Sequence, residues 1–213
     1  MNLKTITKLA AMMAVIGLTA ATQATTITLT VGTGATSGSG AIKNSTAPYV
    51  LGEFVPGVVG MQGAAVREAA MVNSLIGMAL GSQQNFNLGS NPPEVAQRSK
   101  NAFSPLPTAT DVGAVLVGQA SGSGNFTAPV PSGGYTYYVV QWDGPNGGAM
   151  AYDIAGIAPG TLLELPINAY GHGQTGGSFL KAGTPPSLPD GGATIALLGV
   201  GLLGLGAMRR KLS

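Results

Sequence analysis

Between Thr25 and Leu188 the chain offers one histidine, seven carboxylates and no cysteine for chemistry. His172 stands in the Gly-rich stretch "YGHGQTGG", which reads as a loop, with no acid near it in sequence. A Ser-His-Asp arrangement would need it as the base, and nothing local supplies the acid that orients such a base. Glu53, Asp111, Asp143, Asp153 and Glu164 fall on candidate β elements, the placement a glycosidase carboxylate pair would want, but none has a recognisable catalytic context. Asp143, Asn146 and Asp153 carry the oxygen ligands that calcium takes from loops; EF-hand spacing is absent, and Asp143 reads equally as the cap of a turn. The lack of Cys excludes disulfides, Cys-ligated zinc and thiol catalysis. The expectation is a protein without enzymatic activity, metal or cofactor. One ligand platform remains. Tyr135 and Tyr137 are two apart, so in a strand both rings share a face, and with Tyr138, Val140 and Trp142 in the core that face points outward. Two adjacent exposed rings would suit the C–H face and hydroxyl rim of a sugar.

Charge narrows the field further. The formal net charge is +2 and the pI about 9.0, yet Lys4, Lys8, Arg209, Arg210 and Lys211 sit at the two ends. The body holds five cations, Lys43, Arg67, Arg98, Lys100 and Lys181, against seven acids. It has no basic patch with which to bind nucleic acid. Charged residues make up only 8% of the chain and Gly is abundant, which favours turns and Ser/Thr-rich strands over salt-laced helices.

The ends carry targeting chemistry. "MNLKTITKLAAMMAVIGLTAATQATT" has a basic start, an apolar stretch from Leu9 to about Ala21, and small residues before a cleavage point between Ala24 and Thr25. That is the pattern of a secretory signal peptide removed by signal peptidase. At the other end, Gly191 to Met208 is an uncharged run of about 18 residues, enough for roughly 27 Å of helix against a hydrocarbon core of about 30 Å. Arg209, Arg210 and Lys211 follow at once and would stay cytoplasmic, as would Lys4 and Lys8, so the body between faces outward. Within this run Gly199-Val200-Gly201-Leu202-Leu203-Gly204 matches G-x-G-x-x-G, but the chain ends nine residues later without the acid a dinucleotide site needs.

Leu188-Pro189-Asp190-Gly191-Gly192, the apolar run and the Arg-Arg-Lys cluster together resemble the bacterial PEP-CTERM class of sorting signals. They are nearest its VPDSG-type branch, with Leu188 in place of the usual Val. The resemblance covers Leu188 to Ser213. It implies recognition of the motif by exosortase, a membrane-embedded protease, at the inner membrane, and passage to the cell surface or extracellular matrix. It also implies a polysaccharide-producing, Gram-negative setting, with biofilm matrix and exopolysaccharide as company. "LPDGG" is also one residue from the Leu-Pro-x-Thr-Gly signal of sortases, but Gly191 replaces the Thr whose carbonyl those enzymes attack. A plain single-span anchor is the remaining alternative.

In the body, "TTITLTVG" alternates strictly, with Ile27, Leu29 and Val31 on one face of a half-buried strand. "YVLGEFVPG" predicts a second strand ended by Pro56. Helical spacing of Met61, Ala65, Ala69, Val72, Ile76 and Ala79 predicts a core-packing helix from Met61 to Leu80, with Arg67, Glu68 and Asn73 off its apolar face. Residues 83–107 read mostly as loop, with a helical turn near 94–100. "TDVGAVLVG" and Phe126 to Val130 are further strands. "YTYYVVQW" and "AMAYDIAG" flank "DGPNGG" as a hairpin. Its "YYVVQWDGPNGG" resembles a short pattern that recurs upstream of such sorting signals and carries no activity. "TLLELPI" is a last strand, with Pro166 suited to an edge.

The predicted architecture is mainly β: an antiparallel β-sandwich with one inserted helix, flanked by the signal peptide and a C-terminal transmembrane helix. The expected division is signal peptide 1–24, β-rich extracytoplasmic domain 25–180, linker 181–188 and sorting signal 189–213. Two function classes follow: a non-catalytic surface or matrix protein processed at its C-terminus, and an exopolysaccharide-binding module displayed there.

Overall fold

The hairpin that the Pro-Asn-Gly turn predicts is the centre of the molecule. The computed structural model describes residues 24–32, 42–55, 65–86, 94–142 and 147–183. In chain order these form β1 (Thr26–Thr28), a 3-10 turn (Ile42–Asn44), β2 (Val50–Val55), α1 (Ala65–Gly77), β3 (Gln83–Phe86) and β4 (Glu94–Arg98). Then come β5 (Ala109–Val117), β6 (Asn125–Pro129), β7 (Tyr135–Trp142), β8 (Gly148–Asp153), β9 (Leu162–Pro166), β10 (Asn168–Ala169) and β11 (His172–Ala182). Strands β7 and β8 pair antiparallel from Tyr137 opposite Asp153 to Trp142 opposite Gly148. The hairpin sits inside a large sheet of order β10-β11-β7-β8-β2-β4-β3, with β5 also paired to β11. A small sheet of order β1-β9-β6 lies apart from it.

Three layers result. On one face of the large sheet, Leu51, Phe54, Tyr137, Val139, Ala149, Ala151 and Leu180 pack with Met71, Val72 and Leu75 of α1. On its other face, Val50, Tyr138, Val140, Trp142, Met150 and Tyr152 pack with Leu163, Leu165, Ala128 and Leu29 of the small sheet and its flanks. A sheet covered on both sides needs apolar residues at consecutive positions. That requirement explains the unbroken run in β7 and the fully buried β8. Trp142 Nε1 donates to the carbonyl of Pro166 at 3.1 Å, and Tyr152 Oη to Thr30 at 2.9 Å, pinning the small sheet to the large one. The helix approaches so closely that a Cβ on Gly52 would lie 2.7 Å from Leu75 Cδ2 and 2.4 Å from the Gln97 carbonyl. Asn73 fastens it: its amide accepts from Ala109 N at 2.7 Å and donates to Ala109 O at 3.1 Å, as a neighbouring strand would.

Several expectations need correction. Strand β1 pairs with β9 in parallel, so the sheets are antiparallel except at this one pair. Residues 94–100 form no helical turn: Glu94–Arg98 is a strand between β2 and β3, and the segment 83–107 contains a second strand, Gln83–Phe86. Pairing with the fully buried β2 overrides the local helical preference of Glu-Val-Ala-Gln-Arg. Strand β9 is central in its sheet, so Pro166 is not on an edge strand. The register of β1 on β9 ends at Thr28–Glu164, two residues before Pro166, so the missing N–H falls beyond that ladder.

The helix covers Ala65–Gly77; Met61 lies outside the described residues, and Ala79 and Leu80 are exposed beyond the helix end. Its inward side is centred on Met71, Val72 and Leu75, rotated from the expected stripe, and it buries Glu68 while Ile76 is half-buried. Strand β11 runs on through Ala182, two residues into the stretch expected as linker, and Gly183 N still donates to Thr108 O at 2.6 Å.

Candidate functional site

Among the described residues, His172 and Asp153 are not brought together. His172 is the first residue of β11 rather than part of a loop. It closes a two-residue hairpin in which Tyr170 (φ 56°) and Gly171 (φ 77°) both take left-handed backbone, as a type I′ turn requires. Its end of β11 lies at the Trp142 end of β7, whereas Asp153 is opposite Tyr137. Five strand residues separate those levels, roughly 17 Å. Of the calcium ligands considered, Asp143 and Asn146 lie outside the described residues. No cluster of three or more metal-binding side chains occurs among the described residues.

The acids occupy separate environments. Glu53 is buried on the small-sheet side and accepts from Tyr170 Oη at 2.7 Å. Burial pushes its carboxyl above the usual range, with the Tyr170 bond pulling the other way. By strand alternation Asp153 points to the opposite, helix side of the large sheet. It accepts from Ala155 N at 2.9 Å, and burial raises it while Ala155 and Arg98 oppose. Asp111 is exposed on β5. Glu164 lies on the small sheet, where Thr28 Oγ1 donates to it at 2.7 Å, and the hydroxyl of Thr28, then Asn125, hold it below the usual range. A glycosidase pair would need two of these within one cleft.

The tyrosine platform is also dismantled, by a bulge. Leu180 pairs with Tyr137 and the next residue, Lys181, pairs with Tyr135, so Thr136 is an extra residue on β7. An extra residue reverses the facing of everything beyond it. Tyr137 therefore packs in the helix-side core, fully buried, and donates its hydroxyl to the Pro107 carbonyl. Tyr135 turns to the other side against Phe179, with ring centroids 6.1 Å apart, and donates to Gly113 O at 3.0 Å. The rings are not neighbours and offer no joint surface to a sugar.

Two buried groups escape a reading by composition. Glu68 of α1 is enclosed beneath the helix, where Gln141 Nε2 donates to its Oε1 at 2.5 Å. Burial raises its carboxyl, against the pull of Ser178 and Gln141. Arg98 is 1% exposed; its guanidinium donates to Leu51 O at 2.7 Å, Ser99 Oγ at 3.1 Å and Asn101 O at 3.2 Å, tying β4 to β2. Both sit in short polar stretches whose sequence signal is that of a solvated face.

The remaining candidates are at the ends. Ala24 and Thr25 are exposed, and the Thr25 carbonyl, accepting from Leu162 N at 2.9 Å, precedes β1 directly. Leu188 to Gly192, Arg209, Arg210 and Lys211 lie outside the described residues, as does the apolar run; among the described residues no helix is long and apolar enough to cross a membrane. The chain leaves the described body at Gly183, at the end of β11. A cleft of about 760 Å³ opens there between Asn73 of α1, Thr108 to Thr110, Val112, Gly113 and Lys181 to Gly183.

The VPDSG-CTERM motif family matches residues 189–212. The chain thus carries a C-terminal sorting signal of the exosortase type. No curated protein and no solved structure is detectably similar to the chain.

Proposed function

We propose that this chain is exported through its N-terminal leader, held for a time by its apolar C-terminal segment, cut at the sorting motif, and left at the cell surface or in the matrix as a non-catalytic protein. The observation that carries this reading is the sorting signal at residues 189–212. In this reading signal peptidase acts between Ala24 and Thr25, where both residues are exposed just ahead of β1. An exosortase-type protease then acts at the Leu188–Gly192 motif, with Gly191 to Met208 spanning the inner membrane and Arg209, Arg210 and Lys211 retained on the cytoplasmic side. The separation of His172 from Asp153, and the lack of any cluster of three or more His, Asp or Glu side chains among the described residues, support a body that acts by being displayed. Separation of Tyr135 from Tyr137 removes the support for a sugar-binding module.

Intact-mass analysis of the protein from its native host tests both ends at once. The expected species begins at Thr25 and ends no later than Gly192. Recovery with Arg209 to Ser213 still attached would reduce the tail to a simple anchor. In a Pro189→Ala/Asp190→Ala variant the precursor should accumulate in the inner membrane, and normal release would show that the motif is not read.

A further inference from the structure

Among the described residues, five large hydrophobic side chains are markedly exposed: Val66, Leu80, Val112, Val115 and Leu116. Three of the five belong to β5, at 75%, 38% and 58% exposure respectively. Scattered apolar residues are ordinary on a surface, but three on one edge strand, Val115 and Leu116 on its two faces, are a concentration along that edge. Strand β5 has β11 on one side and no described strand on the other. The same β11 carries the chain out at Gly183, next to the Ala109–Ala182 pair. Lys181 stands beside this edge: a Cβ on Gly113 would lie 3.6 Å from its Nζ, and its ammonium sits 5.2 Å from the Tyr135 ring centroid.

We infer that this edge of the large sheet, through Val112, Val115 and Leu116, rests on the phospholipid surface of the membrane for as long as the tail is embedded in it. The inference rests on the proposed tethering. From Gly183 to Gly191 there are eight residues, which span at most about 29 Å when fully extended. The body is therefore leashed close to the bilayer by the strand that pairs with β5. Such a leash raises the effective concentration of a surface too small to bind lipid by itself.

The shape of β5 argues for lipid over a second copy of the chain. Val115 pairs with Phe179 and Thr110 with Lys181, so four residues of β5, Asp111 to Ala114, stand against the single residue Leu180. A bulge of that size interrupts the straight ladder that another strand would need, a common device against edge-to-edge pairing. A bilayer interface asks for no ladder. It accepts side chains from both faces of a strand inserted edge-on, and water and headgroups satisfy the free main-chain groups there. Lys181 favours anionic headgroups, but the exposed Asp111 on the same bulge offsets it. The contact is apolar first and should depend weakly on lipid charge. Cutting the tail removes the leash and frees the body.

The absence of Cys makes single-site labelling direct. Full chains carrying Leu116→Cys or Leu80→Cys, each labelled with the fluorophore NBD, are reconstituted into vesicles of phosphatidylethanolamine and phosphatidylglycerol, with or without spin-labelled lipid. Leu80 is a matched control: it is 50% exposed and immediately precedes the connection to β3, the opposite edge of the large sheet. Unchanged Trp142 emission verifies the fold of each labelled chain. The expected result is severalfold stronger quenching by spin-labelled lipid at position 116 than at position 80. Chains that float with the vesicles but show equal quenching at both positions overturn this inference and leave the tethering intact. Shielding at position 116 that is insensitive to spin-labelled lipid and grows with protein density assigns the edge to a second copy, and also overturns it. Chains that do not float at all refute the tethering itself.

Discussion

Adding one methyl group at Gly148 should expose how the hairpin, the type I′ turn and a buried carboxylate depend on one another. A Cβ there would meet Tyr170 ring carbons at 2.6–2.7 Å, about 1 Å inside ordinary van der Waals contact. The ring cannot simply swing away. Its hydroxyl donates to Glu53 at 2.7 Å, and Glu53 is 4% exposed. Forcing a methyl into a packed site costs about 1–3 kcal/mol. If the ring leaves instead, a buried acceptor loses its partner, at about 1–3 kcal/mol. Gly148→Ala should thus destabilise by roughly 2–4 kcal/mol, the two penalties partly substituting for each other. In a Tyr170→Ala background the space is free, and Ala is preferred to Gly within a strand by roughly 0.5–1 kcal/mol. There the same substitution should be neutral or mildly stabilising. Urea unfolding read from Trp142 suits the measurement: it is the only Trp, it is fully buried, and its ring centroid lies 5.7 Å from that of Tyr170. With a slope of about 2 kcal/mol per molar urea, the midpoint should fall by roughly 1–2 M in the parent and not in the Tyr170→Ala background. An equal cost in both backgrounds would refute the steric coupling.

Other outcomes follow from burial. Val72→Asp places an unpaired charge at a position with no exposure and should cost about 3–5 kcal/mol, whereas Ile76→Asp, at a half-buried site, should cost clearly less; similar thermal midpoints for the two would contradict the orientation of α1. Burial raises the carboxyl of Glu68, so the folded state holds that proton above the ordinary glutamate range of about 4.3. The folded state then binds more protons than the unfolded one, and stability falls as pH rises from that range through the raised value. Glu68→Gln keeps the acceptor for Gln141 and removes this dependence. It should be more stable than the parent at neutral pH, with the advantage fading on acidification; a pH-independent difference in chemical denaturation would argue against a buried charge at that site.

The C-terminal sorting signal and the central hairpin were legible in the linear chain for different reasons. A sorting signal is read by other proteins as a short linear string, so residue types in order carry its meaning, as in the motif matched at residues 189–212. Strands β7 and β8 were legible because Pro145, Asn146 and Gly147 limit the backbone locally. What faces what was decided only in three dimensions. Strand β7 is covered by α1 on one side and the small sheet on the other, so its side chains are apolar on both faces and alternation cannot say which is inside. The bulge at Thr136 then separates Tyr135 from Tyr137, and its cause is the register of β11, some forty residues later in the chain. Strand β4 follows the same logic, since main-chain pairing with β2 outweighs a weak local preference for helix. Glu68 has the composition of a solvated helix position and is buried because Gln141 and Ser178, brought by β7 and β11, meet it there. Local chemistry sets turns and addresses, whereas burial and register depend on partners that only the folded chain supplies.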